Sequence, residues 1–220
     1  MRRNRVLLLV VALVSVLALG AAGCGGDDDD DAAGGDTGAT DTGAAAAEQV
    51  LRIAWGAEPP SLDPGKATDT TSSNVILALM DPLVKLNPDT LEPEPSLAET
   101  WEVDGSTVTF HLREDATWTN GDPVTAQDFV YSWKRTLSPE LAADYAYQLY
   151  GITGAAEYNG CESKCEALAD KVGVTAVDDY TLQVELTSEQ PWFLGQVSHH
   201  SFLPVHQATV EEFGDNWTDP

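Results

Sequence analysis

Trp118-Thr119-Asn120-Gly121-Asp122-Pro123-Val124-Thr125-Ala126-Gln127-Asp128-Phe129-Val130-Tyr131-Ser132-Trp133-Lys134-Arg135 is the stretch from which the fold is read. Asn120-Gly121 is a turn signal. Thr125 and Asp128 have capping-box spacing, with Asp in place of the usual Glu, and predict a helix opening there. Phe129 and Trp133 are four residues apart, Val130 and Trp133 three, so one face of that helix is apolar through about Arg135. Ser138-Pro139 then stops it. Upstream, Val108, Phe110 and Leu112 alternate with Thr107, Thr109, His111 and Arg113. That period of two predicts a strand with one wet face, entered by a turn at Gly105-Ser106.

Working outward, Leu51, Ile53 and Trp55 alternate and predict a first strand, ended by Glu58-Pro59-Pro60. Ser61-Leu62-Asp63-Pro64-Gly65 is turn chemistry. Thr71–Met80 reads as a short helix capped by Thr71 or Ser72. Leu83–Leu86 is a short strand closed by Asn87-Pro88-Asp89. Downstream, Tyr145–Tyr150 is an aromatic-rich segment. Val174 and Ala176, then Leu182, Val184 and Leu186, predict a hairpin around Asp178-Asp179. Pro191 suits the first position of a helix carrying Trp192, Phe193 and Leu194. Thr209–Phe213 adds a helical turn or two. Strands and helices mix without βαβ regularity or internal repeat, so the fold class is α/β in the mixed, α+β sense.

The first 47 residues have another character. Arg2, Arg3 and Arg5 precede an apolar run from Val6 to Leu19. That run is about 14 residues, short of the roughly 20 that a spanning helix needs. Gly20-Ala21-Ala22-Gly23 follows, so residues 1–23 read as a secretory signal. Gly23-Cys24 resembles the bacterial lipobox, in which the cysteine is lipidated and anchors the chain to a membrane. That pattern usually has Leu where Ala21 stands; ordinary cleavage, leaving a free thiol, is the alternative. Residues 24–47 form a tether of Asp, Gly, Ala and Thr. The segment after Cys24 has no large apolar side chain to offset its ordering entropy and is expected to be disordered.

The chain has 220 residues, with 11 Lys and Arg against 36 Asp and Glu, and a formal charge of −25. Such acidity argues against a nucleic-acid partner, which demands a basic footprint. All 6 Trp lie beyond residue 48, in a body able to build a core. No nucleotide loop, zinc-protease helix or nucleophile elbow is present, so nothing marks a catalytic residue and no cofactor is expected. His199-His200 with His206 offers metal ligation or ordinary polar contacts. Adjacent residues in regular structure point apart, which favours the latter and no metal. Cys161 and Cys165, in an exported chain, read as a disulfide, with free thiols as the alternative. Asn216-Trp217-Thr218 matches a glycosylation acceptor, but beside a bacterial-type leader it is read as a chance match.

Several of these segments together resemble one family. Ser61-Leu62-Asp63-Pro64, Leu97-Ala98-Glu99-Thr100-Trp101, Thr109-Phe110-His111-Leu112-Arg113 and the whole block Trp118–Arg135 are similar to bacterial extracytoplasmic oligopeptide-binding proteins, solute-binding protein family 5. Val172–Leu186 and Thr209–Gly214 look like later family segments. The resemblance implies two α/β lobes closing over an extended peptide, as in periplasmic binding proteins. It further implies that residues 48–80 and 207–220 begin lobe one, that 81–206 form a small subdomain, and that the second lobe lies outside this chain. Carried over, the peptide-contacting loop is Thr68, Asp69 and Thr70, where the family often has Glu at the first position and an apolar residue at the third. An aromatic lining the site maps to Tyr145. Phe110, Trp118, Phe129 and Trp133 are assigned to the core. The implied partners are an oligopeptide ligand, an ABC permease with its ATPase subunits and, through Cys24, the outer face of the cell membrane. A sensor or adhesion lipoprotein on the same scaffold, or a fragment without function, is the alternative; a secreted hydrolase has little support.

Overall fold

The computed structural model describes residues 52–219. The leader, Cys24 and the tether therefore lie outside the described residues. Among those described, no helix is long and apolar enough to cross a membrane.

Helix α1 (Thr70–Leu79) comes first, then the two-stranded ribbon β1 (Val84–Leu86) and β2 (Pro93–Pro95). Two prolines suit β2 because an exposed edge strand can forgo ladder donors. Next come β3 (Ala98–Asp104), β4 (Thr107–Leu112) and α2 (Ala126–Leu137). A 3₁₀ turn (Ala146–Leu149) and the short helices α3 (Ala155–Asn159) and α4 (Glu166–Ala169) lead into β5 (Val174–Asp178) and β6 (Thr181–Glu185). The chain closes with α5 (Phe193–Gln196), a 3₁₀ turn (His200–Phe202), α6 (Gln207–Phe213) and a last 3₁₀ turn (Gly214–Asn216).

β3, β4, β6 and β5 form one antiparallel sheet in that order. Val108 lies opposite Val184 and Phe110 opposite Leu182, so the buried alternation of the two central strands coincides. Thr109 opposite Gln183 and Thr107 opposite Glu185 make the wetter face. Helix α2 packs on the apolar face through Phe129, Val130, Trp133 and Leu137. Phe129, Trp133, Phe202, Phe193 and Phe110 then run as a chain of tilted and edge-to-face rings with centroids 5.4–6.5 Å apart. Such geometry suits the ring quadrupoles. A second, smaller cluster, Ala67, Ile76 and Leu203 with Leu62 and Met80 against it, sits under α1.

Polar side chains of α2 fasten the returning segment 200–205. The Trp133 indole N–H donates to the Phe202 carbonyl at 2.8 Å. The Val205 N–H donates to Ser132 Oγ at 2.7 Å, and that hydroxyl donates in turn to the Asp128 carbonyl at 2.6 Å. Buried donors and acceptors are thereby paired rather than abandoned. Gly154 is required where it stands. Its φ is +74°, and a Cβ there would lie 2.5 Å from the Lys171 carbonyl oxygen. An L-residue would meet both the left-handed penalty and a backbone clash.

Several expectations are corrected. Residues 52–55 form no strand, and Ile53 and Trp55 are 55% and 40% exposed. Alternation alone cannot hold a strand, and no described strand lies alongside to complete its ladder. The cap of α1 is Asp69, not Thr71 or Ser72. Asp69 is extended, and its carboxylate accepts the Ser72 N–H at 2.9 Å. Helix α2 runs to Leu137, two residues past Arg135, until Pro139 blocks it. The Asp128 carboxylate accepts the Thr125 N–H at 2.8 Å, as the capping box requires. Trp118 is half-buried against the core edge, beside His206, rather than within the core. Trp192 precedes α5 and is exposed.

Candidate functional site

The 67–70 loop is built on a buried ionic knot. Asp63 accepts two hydrogen bonds from the Arg135 guanidinium, at 2.6 and 3.0 Å. It also accepts the Gly65 N–H at 2.9 Å and the Trp217 indole N–H at 3.2 Å. Burial by itself would raise the Asp63 carboxyl, but the Arg135 fork and the other donors outweigh it and hold it below the usual carboxylate value. A Cβ at Gly65 would lie 3.0 Å from Leu141 Cδ2, a tight contact that a small shift of that side chain would relieve. The N–H groups of Lys66 and Ala67 both donate to the Asp63 carbonyl at 3.0 Å. The chain then emerges at Thr68, and Asp69 starts α1.

Tyr145 reaches this loop from 77 residues away. Its phenol donates to the Thr68 carbonyl at 3.1 Å. The same ring packs on Tyr147 at 5.9 Å, His199 at 5.7 Å and His200 at 5.8 Å between centroids. His200 lies beneath, with Nε2 3.0 Å from the Ala67 carbonyl and Nδ1 3.1 Å from Ser73 Oγ. Three segments, 67–73, 145–147 and 199–200, thus converge. Thr68 and Thr70 are exposed, and Asp69 and Tyr145 are half-buried. One Asp69 oxygen is occupied by its cap bond, and hydrogen bonding from Ser72 lowers its carboxyl.

The histidines were the part hidden from sequence reading. His199 and His200 do not point apart: their rings face each other at 4.1 Å and 34°. His199 is extended (φ −74°, ψ 144°) and only His200 enters the 3₁₀ turn, so neither helical nor strand geometry separates them. His206 sits elsewhere, 3.2 Å from the Asp122 carboxylate. Among the described residues, no three His, Cys, Asp or Glu side chains converge on a metal site. Burial, then the neighbouring His200, push His199 down to about 4. Burial also lowers His200, partly offset by its hydrogen bond to Ala67 and by Asp69. Tyr147, 53% exposed, is a further lining residue that no motif marked.

Ser73 and His200 are within reach of a nucleophile–base pair. His200 is only 2% exposed, however, so a substrate carbonyl has no room beside it. What the ledge offers is hydroxyls, a phenol, a carboxylate and main-chain groups: hydrogen-bonding chemistry. Other features stand apart from it. Cys161 and Cys165 form a disulfide with Cα atoms 5.7 Å apart. Asp178 and Asp179 line an open acidic hollow of about 770 Å³ with Glu99, Asp115 and His111. Asp178 is engaged in its own turn, accepting the Tyr180 N–H at 2.9 Å.

The sequence profile of the bacterial extracellular solute-binding proteins, family 5 Middle, matches residues 92–220. The periplasmic oligopeptide-binding protein OppA of Escherichia coli is 43% identical over 178 residues, which are 80% of this chain and 32% of that protein. The dipeptide-binding protein DppE of Bacillus subtilis is 41% identical over 182 residues, 82% of this chain and 32% of that protein. Haemophilus influenzae OppA, solved in complex with RPPGFSPFR, superimposes with a TM-score of 0.68 at 41% identity, covering 74% of this chain and 32% of that one. The chain thus spans about a third of the length of the curated relatives it matches. With the mixed helix–sheet fold and the profile match over more than half its length, the chain belongs to the bacterial extracellular solute-binding proteins of family 5, which are binding receptors and not enzymes.

Proposed function

We propose that this chain carries one wall of an oligopeptide site in an extracytoplasmic receptor that delivers its cargo to an ABC permease and its ATPase subunits. Thr68, Asp69, Thr70 and Tyr145 form that wall. The observation that carries the reading is the Tyr145 hydroxyl on the Thr68 carbonyl, which joins the two segments assigned to the peptide. Main-chain hydrogen bonds and wet pockets suit a ligand of varied sequence. The printed names of the relatives, oligopeptide- and dipeptide-binding, point to the same solute class. In this proposal 48–80 begin lobe one and 81–206 form the subdomain, with Leu203 of the latter packed on Ala67 and Ile76 under α1. Lys66 to Asp215 and Asp63 to Trp217 support adding 207–220 to the first group.

Calorimetry against a pool of short peptides tests the solute class; an absence of heat from every pool sinks it. Tyr145→Phe keeps the ring and loses one hydrogen bond, so affinity is expected to fall about fivefold, roughly 1 kcal/mol. Unchanged affinity would remove Tyr145 from the site.

Cys24 serves in this proposal as a lipid anchor, with 24–47 as spacer. Labelled fatty acid should enter the wild-type chain in bacteria and not Cys24→Ala. Equal labelling of both would place the lipid elsewhere or nowhere.

A further inference from the structure

We infer that the stacked pair His199–His200 positions the 67–70 loop, and that its protonation makes ligand binding at this ledge weaken as the pH falls. The inference rests on the peptide reading only in its last step; the loop's response to acid stands without it.

The hydrogen bonds define the protonation state in which the ledge is built. His199 Nδ1 accepts both the N–H and the hydroxyl of Ser201, at 3.3 and 2.9 Å, and so caps the 3₁₀ turn His200–Phe202. An acceptor Nδ1 means a neutral ring with its proton on Nε2. His200 Nε2 faces a carbonyl, Ala67, and must donate. Its Nδ1 accepts the Ser73 hydroxyl when the ring is neutral, the form that burial favours. Both rings are neutral in this arrangement.

A proton added to His199 goes to Nδ1 and sets one donor against the Ser201 N–H. The cap is lost, and the turn it caps is the one that carries His200. A proton added to His200 also goes to Nδ1 and forces the Ser73 hydroxyl to reverse. With ring centroids 4.1 Å apart, the first cation opposes the second. Loss of the cap releases the ring that ties Ala67 to Ser73 across the ends of the loop, whereas a cation on His200 keeps both contacts but is buried at a cost.

The surrounding groups do not cancel this. From the cap of α1, Asp69 favours the His200 cation. From the 3₁₀ segment, the Tyr145 ring packs on both imidazoles, with Tyr147 packed against the Tyr145 ring, and neither brings a carboxylate. On the pair's own turn the neighbour is Ser201, which does not titrate. Burial dominates and lowers both imidazoles, His199 to about 4. A group lowered in the built state takes up protons more readily once the structure opens. The stability it lends is therefore complete above about pH 6.5 and is lost as the pH falls from there toward about 4.

The experiment follows backbone amide exchange at 67–73 and the imidazole resonances of the 220-residue chain, from about pH 7.5 to about pH 3.5. Exchange is corrected for its intrinsic pH dependence. Protection at 67–73 is expected to fall about tenfold in step with one imidazole titration. His199→Asn places an acceptor oxygen where Nδ1 was, keeps the cap and cannot titrate; His200→Gln keeps a donor for the Ala67 carbonyl. Each should flatten the acid step while leaving neutral-pH protection in place. Protection that does not change with pH overturns the inference, as does a wild-type acid step in both variants. Should a variant fail to fold, the wild-type titration decides: imidazoles that titrate without any change at 67–73 overturn it. Affinity for the short-peptide pool, measured across the same range, is expected to drop about tenfold with the loop. No heat at neutral pH would sink the peptide reading and leave the loop result standing.

Discussion

Asp63→Ala is expected to destabilise the fold by about 3–5 kcal/mol, because it strands the Arg135 guanidinium in a buried site. The side chains of Arg135 and Asp63 are 13% and 5% exposed, so water cannot replace the lost partner. Gly65 and Trp217 lose their acceptor in the same step. Urea unfolding gives the number, and a loss under about 1 kcal/mol, the range of a surface pair, would show that the knot is not structural. Arg135→Ala should cost a similar amount. The double variant should cost much less than the sum, since each single change leaves one charge unpaired. Acid acts the same way. Because the Asp63 carboxyl is held below its ordinary value of 3.8, its contribution is full above that pH and is lost as the pH falls through the lowered value. Under the proposed function the consequence reaches ligand binding, since the knot is the footing of the loop bearing Thr68, Asp69 and Thr70.

Trp133→Ala is the second large loss, also about 3–5 kcal/mol, through the cavity left by a fully buried indole. Trp133 is 0% exposed and meets Phe129 and Phe202 edge to face. It also holds the Phe202 carbonyl at 2.8 Å, so its removal frees the turn that carries His200. Trp133→Phe separates the two roles. It keeps most of the packing but leaves that carbonyl without its donor, for a cost of about 1–3 kcal/mol. Trp192→Ala is the control: at 62% exposure its change should stay within about 0.5 kcal/mol. Denaturant midpoints for the three variants decide the ranking, and an equal loss at Trp192 and Trp133 would contradict the core described above.

Local signals were readable where one physical rule governs one segment. Val108, Phe110 and Leu112 point inward on β4 as their period of two demands. Asp128 boxes the start of α2 with its neighbour Thr125, a purely local bond. The hairpin at Asp178-Asp179 has its turn closed within three residues. Where a partner lay far away in the chain, the same rules misled. Ile53 and Trp55 alternate like a strand but find no ladder among the described residues. Trp118 is aromatic like a core residue but stays at the edge. The cap of α1 was placed two or three residues late because Thr71 and Ser72 are as good capping types as Asp69; backbone direction, set by the Asp63 knot, chose between them.

The candidate site divides in the same way. Thr68, Asp69, Thr70 and Tyr145 were reachable through the family resemblance, and the structure brings Tyr145 onto Thr68. His199, His200 and Tyr147 were not, since nothing in an adjacent histidine pair states whether its rings diverge or stack. Sequence alone determined the secondary-structure types of the central elements, the apolar face of α2 and the acidic composition of the chain. Those follow from periodicity, capping and composition, which act over a few residues. Tertiary structure alone decided that Asp63 meets Arg135 and Trp217, that His200 bridges Ala67 and Ser73, and that Tyr145 closes on the loop. Each of those contacts spans scores of residues, the tie of His200 to Ser73 as many as 127. Such pairings depend on where α2 lands against the sheet, and that is settled by burying Trp133, Phe129 and Phe202 together.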